Sequence, residues 1–151
     1  MLVYRISKCR YINDLSGQGA ASFPGRLNGK GMHVLYTAAT PSLALLESVV
    51  HISNIPALGY CMITLDVPDV KMLEVSVNDL PEDWNTNPPA ARLKEIGNAF
   101  LREGTFLALK IPSAIIPEEF NILFNPNHRE FNQVKVLSNR SLSFDERLLR
   151  K

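Results

Sequence analysis

Short apolar runs, each cut off by a proline, a glycine or a turn cluster, constrain this chain more than any other feature. Residues 2–6, His33 to Thr37, Gly59 to Asp66, Val70 to Val75, Thr105 to Ile111 and Phe131 to Leu137 read as strands. Breaks at Pro68, Pro81 and Pro112 keep them from merging. Two stretches have helical spacing. Thr40-Pro41 opens one that runs from about Pro41 to His51. Pro88-Pro89 opens another, over 89 to 103, stopped by Gly104. Pro117 to Phe120 reads as one helical turn, and Asn125-Pro126-Asn127-His128 as a turn cluster. A short basic tail holds Phe144 and Leu148. No internal repeat is visible. Strands with two interspersed helices predict an α+β fold with a mixed or antiparallel sheet, as one domain over residues 1–151.

Composition narrows the function classes. Sixteen Lys and Arg stand against 15 Asp and Glu, a net charge of +1. That balance disfavours a nucleic-acid binder, which needs phosphate neutralisation. A hydrophobic fraction of 46% with 21% charged residues suits a globular domain with its own core. Cys9 and Cys61 are too few for a disulfide framework and are expected as two separate, small buried hydrophobes. No signal-peptide h-region opens the chain, and no apolar run approaches the length of a membrane span. The expectation is a reduced, soluble, cytoplasmic protein.

Familiar chemical signatures are missing. No GxGxxG leads from strand to helix, and no GxxxxGK[ST] occurs. His33, His51 and His128 are scattered, and CxxC and HExxH are absent, so no metal site is expected. No GxSxG elbow supports a nucleophilic serine.

Four residues are unusual for where they stand. Glu47 is the only carboxylate in its helix and shares a face with Leu43, Leu46 and Val50. It is either a stripe-edge group that meets water or an arginine, or an electrostatic or general-base carboxylate at a cleft floor. Arg26 lies in an irregular stretch, about 13 to 32, that holds five of the eight glycines. Glycines let backbone approach a ligand, and a guanidinium matches phosphate, though a solvated loop arginine has the same signature. Tyr36 stands just before the Glu47 helix, as a ring for stacking or as core. Ser113 follows a strand-ending proline, a common turn position. Asn125, in the turn cluster, would face a ligand or serve the turn alone.

The order of these pieces carries a resemblance. A Val-Tyr-Arg-Ile strand precedes Gly25-Arg26-Leu27-Asn28-x-x-Gly31 and Val34-Leu35-Tyr36-Thr37-Ala38. Ser42-Leu43-Ala44-Leu45-Leu46-Glu47-x-x-x-His51 comes next, then Pro112-Ser113, Asn121-x-x-x-Asn125-Pro126 and Phe144-Asp145-x-Arg147-Leu148. Over nearly its whole length the chain resembles the RES-domain toxins of bacterial toxin–antitoxin systems, named for an Arg, a Glu and a Ser.

The resemblance implies a compact α+β domain with a split sheet, similar to the ADP-ribosyltransferases. It implies action on NAD as substrate, with cleavage of the nicotinamide–ribose bond by water or phosphate, or transfer of ADP-ribose to a protein. It implies an Xre-like antitoxin partner that blocks the site, with a homodimer inside the toxin–antitoxin complex as a further expectation. By motif, Arg26, Glu47 and Ser113 are the name-giving residues, with Tyr36 beside them. Family members often carry Trp after the arginine; this chain has Leu27.

The chemistry suits these residues. Bond cleavage develops an oxocarbenium-like cation on the ribose, which Glu47 would stabilise. Arg26 would pair with pyrophosphate or incoming phosphate, with Lys30 as a second anion contact. Tyr36 would stack on nicotinamide or ribose, Ser113 would donate a hydrogen bond to substrate, and His51 would orient Glu47. No metal or cofactor is called for. A non-catalytic partner- or nucleotide-binding module and a ribonuclease toxin are the readings from other classes. The near-neutral charge counts against the second.

Overall fold

The computed structural model describes residues 1–52 and 59–150. Seven strands form one sheet in the order β4-β5-β6-β2-β1-β3-β7. They are β1 (Leu2–Lys8), β2 (Leu35–Ala38), β3 (Tyr60–Asp66), β4 (Leu73–Glu74), β5 (Ala108–Pro112), β6 (Phe120–Phe124) and β7 (Lys135–Leu142). Only β4 and β5 run parallel. The sheet divides where β1 meets β2, through the single pair Tyr4↔Ala38, while β1 and β3 pair over seven residues. Two halves, antiparallel except for β4 beside β5, thus share one seam, which agrees with the α+β, split-sheet expectation.

Alternation along the strands gives the sheet two unlike faces. One carries Val3, Leu35, Ile63, Leu65, Ala108, Ile122 and Phe124 into the larger core. The other carries Leu109, Ile111 and Leu123 against helix α3 (Ala91–Glu103), with Leu93 and Phe100 filling the interface. On that second face Tyr4, Ile6 and Ala38 meet Leu43 and Ala44 of helix α2 (Pro41–His51). The two helices therefore cover the same side of opposite halves, and the strip between them holds the candidate site.

Several boundaries differ from the sequence expectations. Gln18–Ser22 forms a short helix, α1, inside the stretch read as irregular. The second long helix begins at Ala91, after Pro88-Pro89. The strand expected over 70–75 shrinks to Leu73–Glu74. Phe120 starts β6 rather than ending a helical turn. That strand is central, so its Phe-Asn-Ile-Leu-Phe run shows no clean alternation to read. The last strand starts at Lys135 and reaches Leu142, because Phe131–Gln133 is a 3-10 turn.

The two cysteines are neither separate nor reduced, contrary to expectation. Ser7 pairs with Cys61 in the β1–β3 ladder and Lys8 with Tyr60. Cys9 therefore lies diagonally across from Cys61, with their Cα atoms 4.8 Å apart, and the two form a disulfide. A separation of 52 residues hid this register from the sequence.

Candidate active site

Helix α2 aims Glu47. Thr40 caps it, its hydroxyl accepting from the Leu43 N–H at 3.1 Å, and Pro41 occupies the first turn. Leu43 and Ala44 are buried against the sheet, and Glu47 sits one turn further on the same face. The apolar stripe is shorter than its sequence suggests, since Val50 is 50% exposed.

Two side chains converge on one oxygen of Glu47. The Ser113 hydroxyl donates to Oε1 at 2.8 Å and the Asn121 amide Nδ2 donates to it at 2.7 Å. No arginine or lysine pairs with Glu47 among the described residues. Ser113 is buried where β5 ends. Its Oγ also accepts from the N–H groups of Ile115 (3.1 Å) and Ile116 (3.2 Å). The hydroxyl's single proton is therefore committed to Glu47, which makes Ser113 a holder of the carboxylate rather than a direct donor to substrate. The loop after Ser113 is tied down twice more. The Ser113 N–H bonds the Glu119 carbonyl at 2.8 Å, and the Glu119 carboxylate accepts from Thr40 Oγ1 at 2.9 Å.

Tyr36 projects from the same face, two residues before Ala38, which lies opposite Asn121. Its hydroxyl donates to Asn28 Oδ1 at 2.7 Å and accepts from the Leu27 N–H at 3.1 Å. Burial pushes the phenol well above the usual tyrosine range; the Leu27 bond and the charge of Arg26 pull weakly the other way. Asn28 is fully buried at the hub of this loop. It also accepts from Gly25 N–H (2.9 Å) and donates to the Ala20 carbonyl (2.8 Å). The loop is pressed onto α3, where Leu27 lies over Gly97 and Gly29 N–H bonds Asn98 Oδ1 at 2.9 Å. Leu27 is thus buried against α3.

Arg26 is half-buried between this loop and residues 84–86. Its Nη1 donates to the carbonyls of Thr86 (2.8 Å) and Trp84 (3.3 Å). No carboxylate pairs with it among the described residues. The rest of its donor fork is available to an anion.

The other residues expected here stand apart. Lys30 is exposed and makes no side-chain hydrogen bond or ion pair among the described residues. His51 is exposed at the end of α2, and the bonds to Glu47 come from Ser113 and Asn121 instead. Asn125 is buried at the far end of β6, about 13 Å from Asn121 at 3.3 Å per residue. Its amide donates to the Leu101 carbonyl and its Oδ1 accepts from Asn127 N–H, so it serves the turn. Asn121, which opens the same Asn-x-x-x-Asn-Pro motif, carries no local signal in the sequence that marks it as a site residue. No group of three or more His, Cys, Asp or Glu with metal-holding geometry occurs among the described residues. A groove of about 600 Å³ lined by Lys110, Phe120 and Ile122 opens on the opposite sheet face from Glu47.

The chain is similar to known proteins along nearly its whole length. The chain is 34% identical over 151 residues to a Yersinia enterocolitica protein named Toxin Res, covering 98% of this chain and 99% of that one. It is 33% identical over 144 residues to a Sphingobium protein named Prs ADP-ribosylating toxin, covering 92% and 89%. The fold superposes with a TM-score of 0.78 and 18% identity on a chain of the M. tuberculosis MbcT–MbcA toxin–antitoxin complex, covering 94% and 84%. Residues 2–145 match the model of the RES domain. The chain belongs to the RES-domain family.

Proposed function

We propose that this protein is the toxin of a toxin–antitoxin pair and that it cleaves NAD at the nicotinamide–ribose bond. The observation that carries the reading is the Glu47 carboxylate, pinned by Ser113 and Asn121 and paired with no cation among the described residues. A half-buried carboxylate held without a counter-charge suits a reaction that brings its own cation. Loss of nicotinamide develops positive charge on the ribose, and an anion already in place stabilises it without reorganising. Nicotinamide leaves as a neutral molecule, so no strong general acid is needed. Arg26 supplies the opposite charge for the pyrophosphate. The Tyr36 ring, on the sheet face that carries Asn121 and tied by its hydroxyl to the Arg26 loop, is the flat surface on which nicotinamide or ribose would stack.

The names of the relatives, Toxin Res and Prs ADP-ribosylating toxin, support the toxin assignment. The second name favours a protein side chain as acceptor of the ADP-ribose, beside water and phosphate. An Xre-like antitoxin that covers the Glu47 face is the partner expected. The exposed edge of β7, with Val136 and Leu137 uncovered, is the place for a second copy of the chain. The protein acts in the cytoplasm, where NAD is found. No helix among the described residues is long and apolar enough to cross a membrane.

The test is incubation of the purified protein with NAD, with and without phosphate, followed by mass analysis. Nicotinamide plus ADP-ribose identifies a hydrolase. A phosphorylated ADP-ribose formed only with phosphate identifies a phosphorylase. Intact NAD under both conditions, with labelled protein in a lysate given labelled NAD, identifies a transferase. No reaction in any arm overturns the proposal.

A further inference from the structure

We infer that Asn121 works with Glu47 as a two-acceptor seat for the adjacent hydroxyls of a ribose, and so sets the site's preference for a substrate with both hydroxyls. This rests on reading the site as one that acts on NAD. The argument starts from the shared oxygen. Ser113 and Asn121 both donate to Glu47 Oε1. An amide has two donors on nitrogen and an acceptor on oxygen, so the bond to Oε1 fixes which way the Asn121 amide faces. Two acceptors are then left over, Glu47 Oε2 and Asn121 Oδ1, beside the second Nδ2 proton of Asn121.

Neither leftover oxygen receives a hydrogen bond among the described residues, and no partly covered side chain there hides an unpartnered polar atom. Both oxygens are therefore reached from solvent. They sit on groups joined by the 2.7 Å bond, so they lie at most about 7 Å apart. A ligand that satisfies both must bring two donors close together. A vicinal diol does this, and a phosphate or carboxylate is repelled by the same pair. The seat's negative charge and its two open acceptors thus point to the sugar, while Arg26 points to the anionic part of the same substrate.

The fold holds Asn121 rigidly. It stands on a central strand, between Ala38 of β2 and Ile111 of β5 in register. Ala38 is buried beneath Leu43 and Ala44 of α2, and its short side chain leaves the Asn121 amide room to meet Glu47. Ser113 and Asn121 fix Oε1 from two different strands' ends, so the carboxylate cannot rotate to present Oε1 to a ligand without breaking both bonds. Oε2 is the working oxygen, and Asn121 both positions it and reads the neighbouring hydroxyl.

The experiment compares NAD with two analogues, each lacking one hydroxyl of the nicotinamide ribose, on the wild type, Asn121→Ala and Asn121→Ser. Calorimetric binding of ADP-ribose and thermal melting are measured alongside. Expected is a fall of at least tenfold in kcat/KM for NAD in Asn121→Ala. The preference for NAD over one analogue is expected to shrink by about tenfold, the worth of one hydrogen bond. Asn121→Ser, which replaces the amide by a smaller hydroxyl that still donates and accepts, recovers part of that preference and carries the measurement if the alanine variant fails to fold. A purely structural asparagine would lower the rate on all three substrates equally and leave the preference unchanged, which overturns the inference alone. A wild type that neither turns over NAD nor binds ADP-ribose overturns the inference together with the proposed function.

Discussion

Gly97→Ala sets two opposing effects of known size against each other. Alanine in a helix interior is worth about 1 kcal/mol over glycine, so propensity alone predicts a more stable protein. The packing predicts the reverse. A Cβ on Gly97 would fall inside the Leu27 carbonyl oxygen and 2.7 Å from its carbonyl carbon, where 3.4–4 Å is ordinary contact. Backbone on both sides must give. Overpacking of this kind costs about 1–3 kcal/mol. Pushing the loop off α3 also strains the Gly29–Asn98 and Leu27–Tyr36 hydrogen bonds, at about 1 kcal/mol each. The balance is a loss of roughly 2–4 kcal/mol, or about 5–15 °C in the melting midpoint. Arg26 rides on the displaced loop, and a shift of about 1 Å in a binding group costs on the order of 100-fold in rate. Gly19 is the internal control: it is helical too, and a Cβ there meets nothing within 4 Å. Urea titrations of both variants beside the wild type decide the matter. Gly97→Ala at least as stable as Gly19→Ala refutes the packing of the arginine loop on α3.

Glu47→Gln keeps an oxygen for Ser113 and Asn121, so the melting curve is expected to hold while activity falls at least 100-fold; growth arrest on expression of this variant would exclude Glu47 as the working carboxylate. Tyr36→Phe tests the buried phenol. Its folded pKa lies above the free value of 10.0, so the native state binds the extra proton; the stability it adds is present below pH 10 and is lost as pH rises toward the folded value. Removing the hydroxyl should flatten the alkaline fall in stability, and an unchanged slope would contradict it. Reduction of Cys9–Cys61 releases a link across 52 residues, worth up to about 4 kcal/mol of chain entropy, so reductant should lower the urea midpoint. Two thiols that label readily in the native, unreduced protein would show that the bridge does not form.

The parts of this molecule legible in its sequence are those set by local chemistry. Thr40-Pro41 announced α2, and its apolar spacing marked Glu47 as out of place. Gly104 announced the end of α3, where it takes a left-handed conformation. What stayed hidden was set by register. Asn121 reaches Glu47 only because β6 lies between β2 and β5, and Asn125, four residues on in the same motif, serves a turn instead. Cys9 meets Cys61 only through the β1–β3 pairing. Ser113 was found, but its role changed, because one hydroxyl proton cannot serve Glu47 and a substrate together.

The most direct test of the central claim is a crystal structure of Glu47→Gln with NAD bound. The account predicts the nicotinamide ribose within hydrogen-bond reach of residue 47 and Asn121, the pyrophosphate on the Arg26 fork and a flat ring against Tyr36. A dinucleotide seated elsewhere, such as the groove beside Lys110 and Phe120 on the far face of the sheet, contradicts it.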